Sequence, residues 1–268
     1  MRSWIVACCL LLLIACKNEA RVPPPGSLAQ EQMPAPVQEL FNKLNKYPDS
    51  TRLRMQLVDA LDSLGAYGQA LAQMDSLILN DSLNNGFWYR KGMLQENSRD
   101  TNGALRSYRY AIRIYPSPDA ILAAANLLAE KKDSTALLLC QQVADQHMGR
   151  EYTAHCHFIT GVYLARTGNQ SKAIAAFDNC IRNDLNYMEA YMEKGFLYFD
   201  AQKTQEALEV FRTVTTLKNT YADGYYWIAK CEEKLKHPAE AIDNYKKSLV
   251  LDPGLTEASK ALKRLGPS

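Results

Sequence analysis

The chain lacks any excess of charge: 31 Lys and Arg against 29 Asp and Glu leave a net +2 over 268 residues. A nucleic-acid surface needs a basic face or stripe, so no nucleic acid is expected as a partner. Glycine and proline are scarce at 13 and 11 residues, which excludes collagen-like and low-complexity chains. No window carries the roughly 20 apolar residues of a membrane-crossing helix, which excludes a multipass membrane protein. Catalytic and cofactor signatures are missing too: there is no G-x-G-x-x-G, phosphate-binding P-loop, G-x-S-x-G elbow, H-E-x-x-H or C-x-x-C. The expectation is a protein that is not an enzyme, with no cofactor and no small-molecule substrate. What is present, at 47% hydrophobic and 22% charged, is ordinary globular composition with enough apolar material for a core.

The first residues read as an address. Arg2 supplies a short positive region, and Trp4 to Ala15 is an apolar run too short to span a bilayer but suited to a signal peptide. It ends in Leu13-Ile14-Ala15-Cys16, which resembles the lipobox of bacterial lipoproteins. The resemblance implies that residues 1–15 are removed and that Cys16 becomes the lipidated first residue, acylated with palmitate or a similar chain. Two or more acyl chains anchor stably where one does not. The other reading is an ordinary secretory signal and a soluble periplasmic protein. Lys17-Asn18-Glu19 lacks the aspartate that marks inner-membrane retention in such lipoproteins, which favours the outer membrane of a Gram-negative cell. Lysine followed by an acidic residue is also similar to export signals of surface-exposed lipoproteins in the Bacteroidota; periplasmic and surface faces both stay open. From residue 16 to 36 the chain is a lipidated terminus and a Pro-rich tether, RVPPPGSLAQEQMPAP, whose fixed φ angles make a semi-rigid spacer.

The rest repeats. Ala70, Ala104, Ala136, Ala173, Ala207 and Ala241 lie 34, 32, 37, 34 and 34 residues apart. Four residues after each stand Met74, Tyr108, Cys140, Phe177, Phe211 and Tyr245, and twelve before each stand Val58, Gly92, Ala124, Gly161, Gly195 and Ala229. These marks resemble the tetratricopeptide repeat, a helix-turn-helix unit of about 34 residues. The resemblance implies an all-α, right-handed superhelical solenoid of antiparallel helix pairs across residues 37–268. Its units are about 51–84, 85–116, 117–153, 154–187, 188–221 and 222–255, with an N-terminal half-repeat at Val37 to Tyr47 and a capping helix over 256–265. Small residues at the eighth and twentieth places let the two helices of a unit touch, and bulky residues fill the space beside that contact. The third unit departs most: its register shifts by about three residues, and its surplus, near His147 to Glu151, reads as a lengthened loop.

In this family the concave face is lined by the first helix of each unit, chiefly at places two, five, nine, twelve and thirteen. Carried onto this sequence, those places give a groove for a protein or peptide partner at Tyr89, Met93, Phe158, Met192, Phe196, Tyr226 and Lys230, rich in aromatic and methionine side chains that bury large area at small entropic cost. The lysine and asparagine of the family's carboxylate clamp match no unit. The competing reading is a metal- or thiol-dependent activity at His155, Cys156 and His157, although a step of about 100° per residue aims the two imidazoles apart on a helix. Cys140, Cys156, Cys180 and Cys231 fall at packing positions. Export permits a bridge such as Cys156 to Cys180, but the spacings specify none. The layout as a whole resembles lipid-anchored scaffolds that assist assembly of envelope complexes, among them pilotins of type IV pili, and leaves the partner open.

Overall fold

A computed structural model of the chain describes residues 32–266. Among these every regular element is helical and no strand occurs, so the fold is all-α. The signal segment, Cys16 and the tether as far as residue 31 lie outside the described residues.

The chain divides into two compact units at Ala72/Gln73. The first holds α1 (Ala35–Lys46), α2 (Thr51–Ser63) and the start of α3 (Tyr67–Asn80), with α1 packed on α2. Its apolar stripe of Val37, Leu44, Leu57, Val58, Leu61 and Ala70 is buried. Ser50 caps α2, its hydroxyl accepting from the Leu53 amide at 3.3 Å.

The second unit holds five helix pairs and a terminal helix. The pairs are α4 (Asn85–Asn97) with α5 (Thr101–Ile114), α6 (Pro118–Glu130) with α7 (Thr135–Ala144), and α8 (Arg150–Arg166) with α9 (Gln170–Asn183). They continue as α10 (Met188–Asp200) with α11 (Thr204–Leu217) and α12 (Ala222–Lys234) with α13 (Pro238–Leu251), closed by α14 (Thr256–Leu265). Each pair packs internally, and α5, α7, α9, α11 and α13 each also pack on the helix that follows.

One backbone device makes every turn inside a pair. The residue two beyond the first helix takes positive φ at Gly65, Arg99, Lys132, Gly168, Gln202 and Lys236, spaced 34, 33, 36, 34 and 34 residues apart. The next amide then reaches back six residues inclusive, as Asp100 N to Gln95 O at 2.7 Å and Lys203 N to Tyr198 O at 2.9 Å, covering carbonyls that the helix end leaves orphaned.

In three of the pairs a glycine faces an aromatic ring. A methyl group added at Gly92, Gly161 or Gly195 would sit 2.4, 2.5 or 2.4 Å from a ring carbon of Tyr108, Phe177 or Phe211. The glycine therefore makes room for the ring rather than only for the neighbouring backbone. Where the ring is a tyrosine, its hydroxyl is satisfied twelve residues upstream: Tyr108 donates to Glu96 at 2.9 Å and Tyr245 to Glu233 at 3.0 Å.

The third unit differs from the sequence expectation in two ways. Counted back from the Lys132 turn, Ala125 and not Ala124 takes the glycine place, because one residue is missing between that turn and Ala136. The surplus that follows is only partly loop. Helix α7 stops at Ala144, residues 145–149 connect, and α8 starts at Arg150, one helical turn ahead of Ala154. The boundary set at residues 153/154 thus falls inside a helix.

Candidate functional site

The first helices of successive pairs leave two hollows along one face of the second unit. The first, of about 350 Å³, is walled by α4, α6 and α8, with Tyr89, Met93, Leu122, Ala123 and, from α5, Tyr108 as its apolar part. Glu96, Asn97, Asp119, Asn126, Glu151, Tyr152 and His155 supply its polar part. The Tyr89 ring packs on Tyr108 with centroids 5.7 Å apart. Its phenol is pushed above its ordinary pKa by burial, and further by the negative charge of Asp119 and Glu96. Tyr152 donates to Asp119 at 3.4 Å. Glu151 and Tyr152 belong to the extra turn of α8, so the surplus residues of the repeat build one wall of this hollow.

The second hollow, of about 380 Å³, lies among α8, α10 and α12. It is lined by Phe158, Glu189, Met192, Glu193, Phe196, Tyr221, Asp223 and Trp227. Its aromatic wall is continuous with the core: Trp227 packs on Phe196 at 4.7 Å and on Phe211 at 5.8 Å. Burial raises the Tyr221 phenol, aided by the charges of Glu189 and Asp223.

Arg166 ties the three helices of this stretch together. Its guanidinium holds Glu130 of α6 at 2.8 and 2.9 Å, and Glu193 of α10 at 2.9 Å through two nitrogens. These charge-assisted bonds hold it protonated well above the usual arginine range.

Of the groove residues named from the sequence, Tyr89 and Met93 line the first hollow, and Phe158, Met192 and Phe196 the second. Met192 is only 5% exposed and forms part of the floor. Tyr226 and Lys230 line neither; Tyr226 packs on Tyr245 at 5.8 Å and edge-on to Trp227 at 5.7 Å. Sequence reasoning missed Trp227, Asp119, Glu151 and Tyr152. Asp119 stands at place two of the third unit, a position left unread because its register was unsettled. The extra helical turn before Ala154 could have been read from the surplus itself.

His155, Cys156 and His157 diverge. His155 faces the first hollow, edge-on to Phe158 and Tyr187 at 6.4 and 6.0 Å, and burial lowers its pKa against the pull of Asp119, Glu151 and Glu189. His157 is lowered by burial and by the Arg182 charge. Cys156 is buried, its thiol donating to the Cys140 carbonyl at 3.4 Å. Among the described residues no three His, Cys, Asp or Glu side chains are placed to hold one metal ion. Cys140, Cys156, Cys180 and Cys231 are all buried free thiols, and the neighbour of Cys156 is Cys140 of the preceding pair rather than Cys180 of its own. Burial pushes the Cys180 and Cys231 thiols up to about 12, so they stay protonated and inert at neutral pH.

The sequence matches the tetratricopeptide repeat family over residues 55–118, 160–222 and 222–255, together more than half of the chain. A tetratricopeptide repeat protein from Parabacteroides merdae ATCC 43184 is similar in structure, with a TM-score of 0.71 at 17% identity over 86% of this chain and 91% of that one. PilW, a widely conserved type IV pilus biogenesis factor, has a TM-score of 0.64 at 16% identity, covering 79% of this chain and 97% of its own. Yeast Tom70 has a TM-score of 0.60 at 14% identity, over 85% of this chain and 57% of that one. At these identities the likeness is one of fold. No curated protein is significantly similar in sequence.

Proposed function

Because the chain belongs to the tetratricopeptide repeat family, we propose that it is a lipid-anchored adaptor of the bacterial cell envelope. It binds an extended segment of a protein partner in the groove formed by the first helices of its units. The observation that carries this reading is the pair of aromatic-walled hollows on one helix face, each large enough for a side chain and open to solvent. Helix faces of this kind take peptides by seating side chains in successive pockets while the peptide backbone runs along the surface. Anchoring is read from Leu13-Ile14-Ala15-Cys16, with Cys16 as the lipidated residue, and the outer membrane from the lack of an aspartate in Lys17-Asn18-Glu19. A role in assembling an envelope complex fits that layout. The fold shared with a pilus biogenesis factor agrees with it and names no partner.

Photo-crosslinkers placed in living cells at Tyr89 and Phe196, and on the opposite helices at Arg109 and Lys246, test the groove. Capture of one partner from the first two positions is expected. Capture only from the last two would sink the reading. Separately, Cys16→Ala should release the protein from the membrane fraction, and unchanged fractionation would remove the anchor from the proposal.

A further inference from the structure

The two hollows share a chemistry that the composition of the chain does not explain. Six carboxylates line them, Glu96, Asp119 and Glu151 in the first and Glu189, Glu193 and Asp223 in the second. Among the described residues no Lys or Arg lines either one, although basic residues outnumber acidic ones over the whole chain. A surface recess on α5, a second helix of its pair, has the opposite character, lined by Arg106, Arg109, Tyr110 and Arg113 with no carboxylate.

Internal pairing leaves much of the negative charge unused. Glu193 is taken by Arg166, Glu96 accepts from Tyr108, and Asp119 accepts one long bond from Tyr152. Glu151, Glu189 and Asp223 make no hydrogen bond or ion pair among the described residues. Each therefore lines an aromatic-walled hollow with acceptor capacity to spare, alongside Tyr89 and Tyr152 in one case and Phe196 and Trp227 in the other. Carboxylates beside aromatic faces are what a guanidinium or ammonium group requires, because it donates to the first and stacks on the second.

We propose that the groove selects an extended peptide carrying two basic side chains, one arginine or lysine seated in each hollow. This rests on the groove reading above and specifies its ligand. The hollows are two first-helix steps apart. At about 10 Å per step the distance is about 20 Å, which an extended strand covers in about six residues at ~3.3 Å each. The recognised segment thus has basic residues about six apart, and an acidic segment is excluded by repulsion at both hollows.

The test pans the full-length protein against a display library of random dodecapeptides and locates the enriched ones by crosslinking from Tyr89 and Phe196. Enrichment of paired Arg or Lys at that spacing is expected. A synthetic winner should bind about tenfold more weakly when both arginines are replaced by citrulline, which keeps their shape without charge. Affinity should fall about fivefold in Asp119→Asn/Glu151→Gln and in Glu189→Gln/Asp223→Asn, and should weaken further as salt is raised. Groove-crosslinked peptides without basic residues, or indifference to citrulline, would overturn this inference and leave the groove reading intact. Absence of any groove-crosslinked peptide would overturn both.

Discussion

At the scale of single residues, the eighth and twenty-fourth places of a unit act as one object. In three pairs a glycine packs against an aromatic ring with no room for a side chain: at Gly195 an added methyl would lie 2.4 and 2.6 Å from two ring carbons of Phe211. Phe211 is fully buried and held by Trp227 and Phe196, so it has little room to withdraw. Gly195→Ala should destabilise by about 1–3 kcal/mol, the usual range for overpacking. The sixth unit sets the lower bound, since Ala229 already lies buried with Tyr245 in one cluster. Thermal unfolding of Gly195→Ala, Phe211→Leu and the double variant checks this. The double variant should cost less than the two singles together, and strict additivity would mean that the ring and the glycine do not compete for the same space. The small and aromatic positions were legible in the sequence because both are fixed by the period. Their partition into glycine-for-ring was not, since spacing shows which positions face each other and not which atom occupies the gap. A finer rule is legible in retrospect. A tyrosine at place twenty-four accompanies glutamate at place twelve, as in Tyr108 with Glu96 and Tyr245 with Glu233, whereas Phe177 and Phe211 face units with Ala165 and Phe199 there. Trp227 was invisible for the opposite reason. Its place is assigned to neither core nor groove, and its large ring reaches both.

At the scale of elements, the turn inside each pair fixes the repeat more strictly than the alanines do. Only two of the six positive-φ positions carry glycine; Arg99, Lys132, Gln202 and Lys236 hold the same conformation with a side chain. A left-handed residue with a Cβ is strained by about 1–2 kcal/mol, partly offset by the greater freedom glycine has when unfolded. Gln202→Gly and Lys236→Gly, both exposed, should therefore each stabilise by about 0.5–1 kcal/mol in chemical denaturation; a loss of stability would show that these side chains make contacts worth more than the strain. The same turns explain why the third unit misled. Its deletion lies after the Lys132 turn, where the alanine alignment could not see it, and its insertion extends α8 instead of lengthening a loop alone. The terminal helix α14 has a charge-based clasp. Arg264 holds Glu233 of α12 at 2.8 and 2.9 Å, and this bond lowers the glutamate pKa from its ordinary value. A depressed carboxylate contributes stability above the unfolded value, and that contribution is lost as pH falls through the folded one. The melting temperature of Arg264→Ala should thus lie below that of the parent at pH 6, and the two should converge as the pH falls through the depressed folded value; a gap independent of pH would mean that the clasp acts by packing of the arginine stem alone.

At the scale of the molecule, an array whose pairs touch only their neighbours has a stability that is the sum of local and nearest-interface contributions. Periodicity therefore revealed the architecture almost completely, while the groove chemistry stayed hidden, since each hollow draws on residues from three units and no single unit carries its signature. One residue links two neighbouring interfaces. Arg166 of the fourth unit binds Glu130 of the third and Glu193 of the fifth, so its guanidinium belongs to two interfaces at once. Its side chain is 33% exposed and those of its partners 46% and 18%, which places the pairs at the modest end of ion-pair energetics. The bidentate geometry and the less exposed Glu193 raise the expected loss on Arg166→Gln to about 1–2 kcal/mol. The larger effect should be on cooperativity. Without the shared cation, the pairs before α8 and after α9 lose a common link, so urea unfolding should broaden, with a smaller m-value as well as a lower midpoint. Hydrogen exchange resolved along the chain should then show α10 to α13 opening at a lower denaturant concentration than α4 to α7, or the reverse, where the parent opens them together. An Arg166→Gln protein with a shifted midpoint and an unchanged m-value would show that the pair interfaces alone carry the coupling, and that the arginine only adds to their sum.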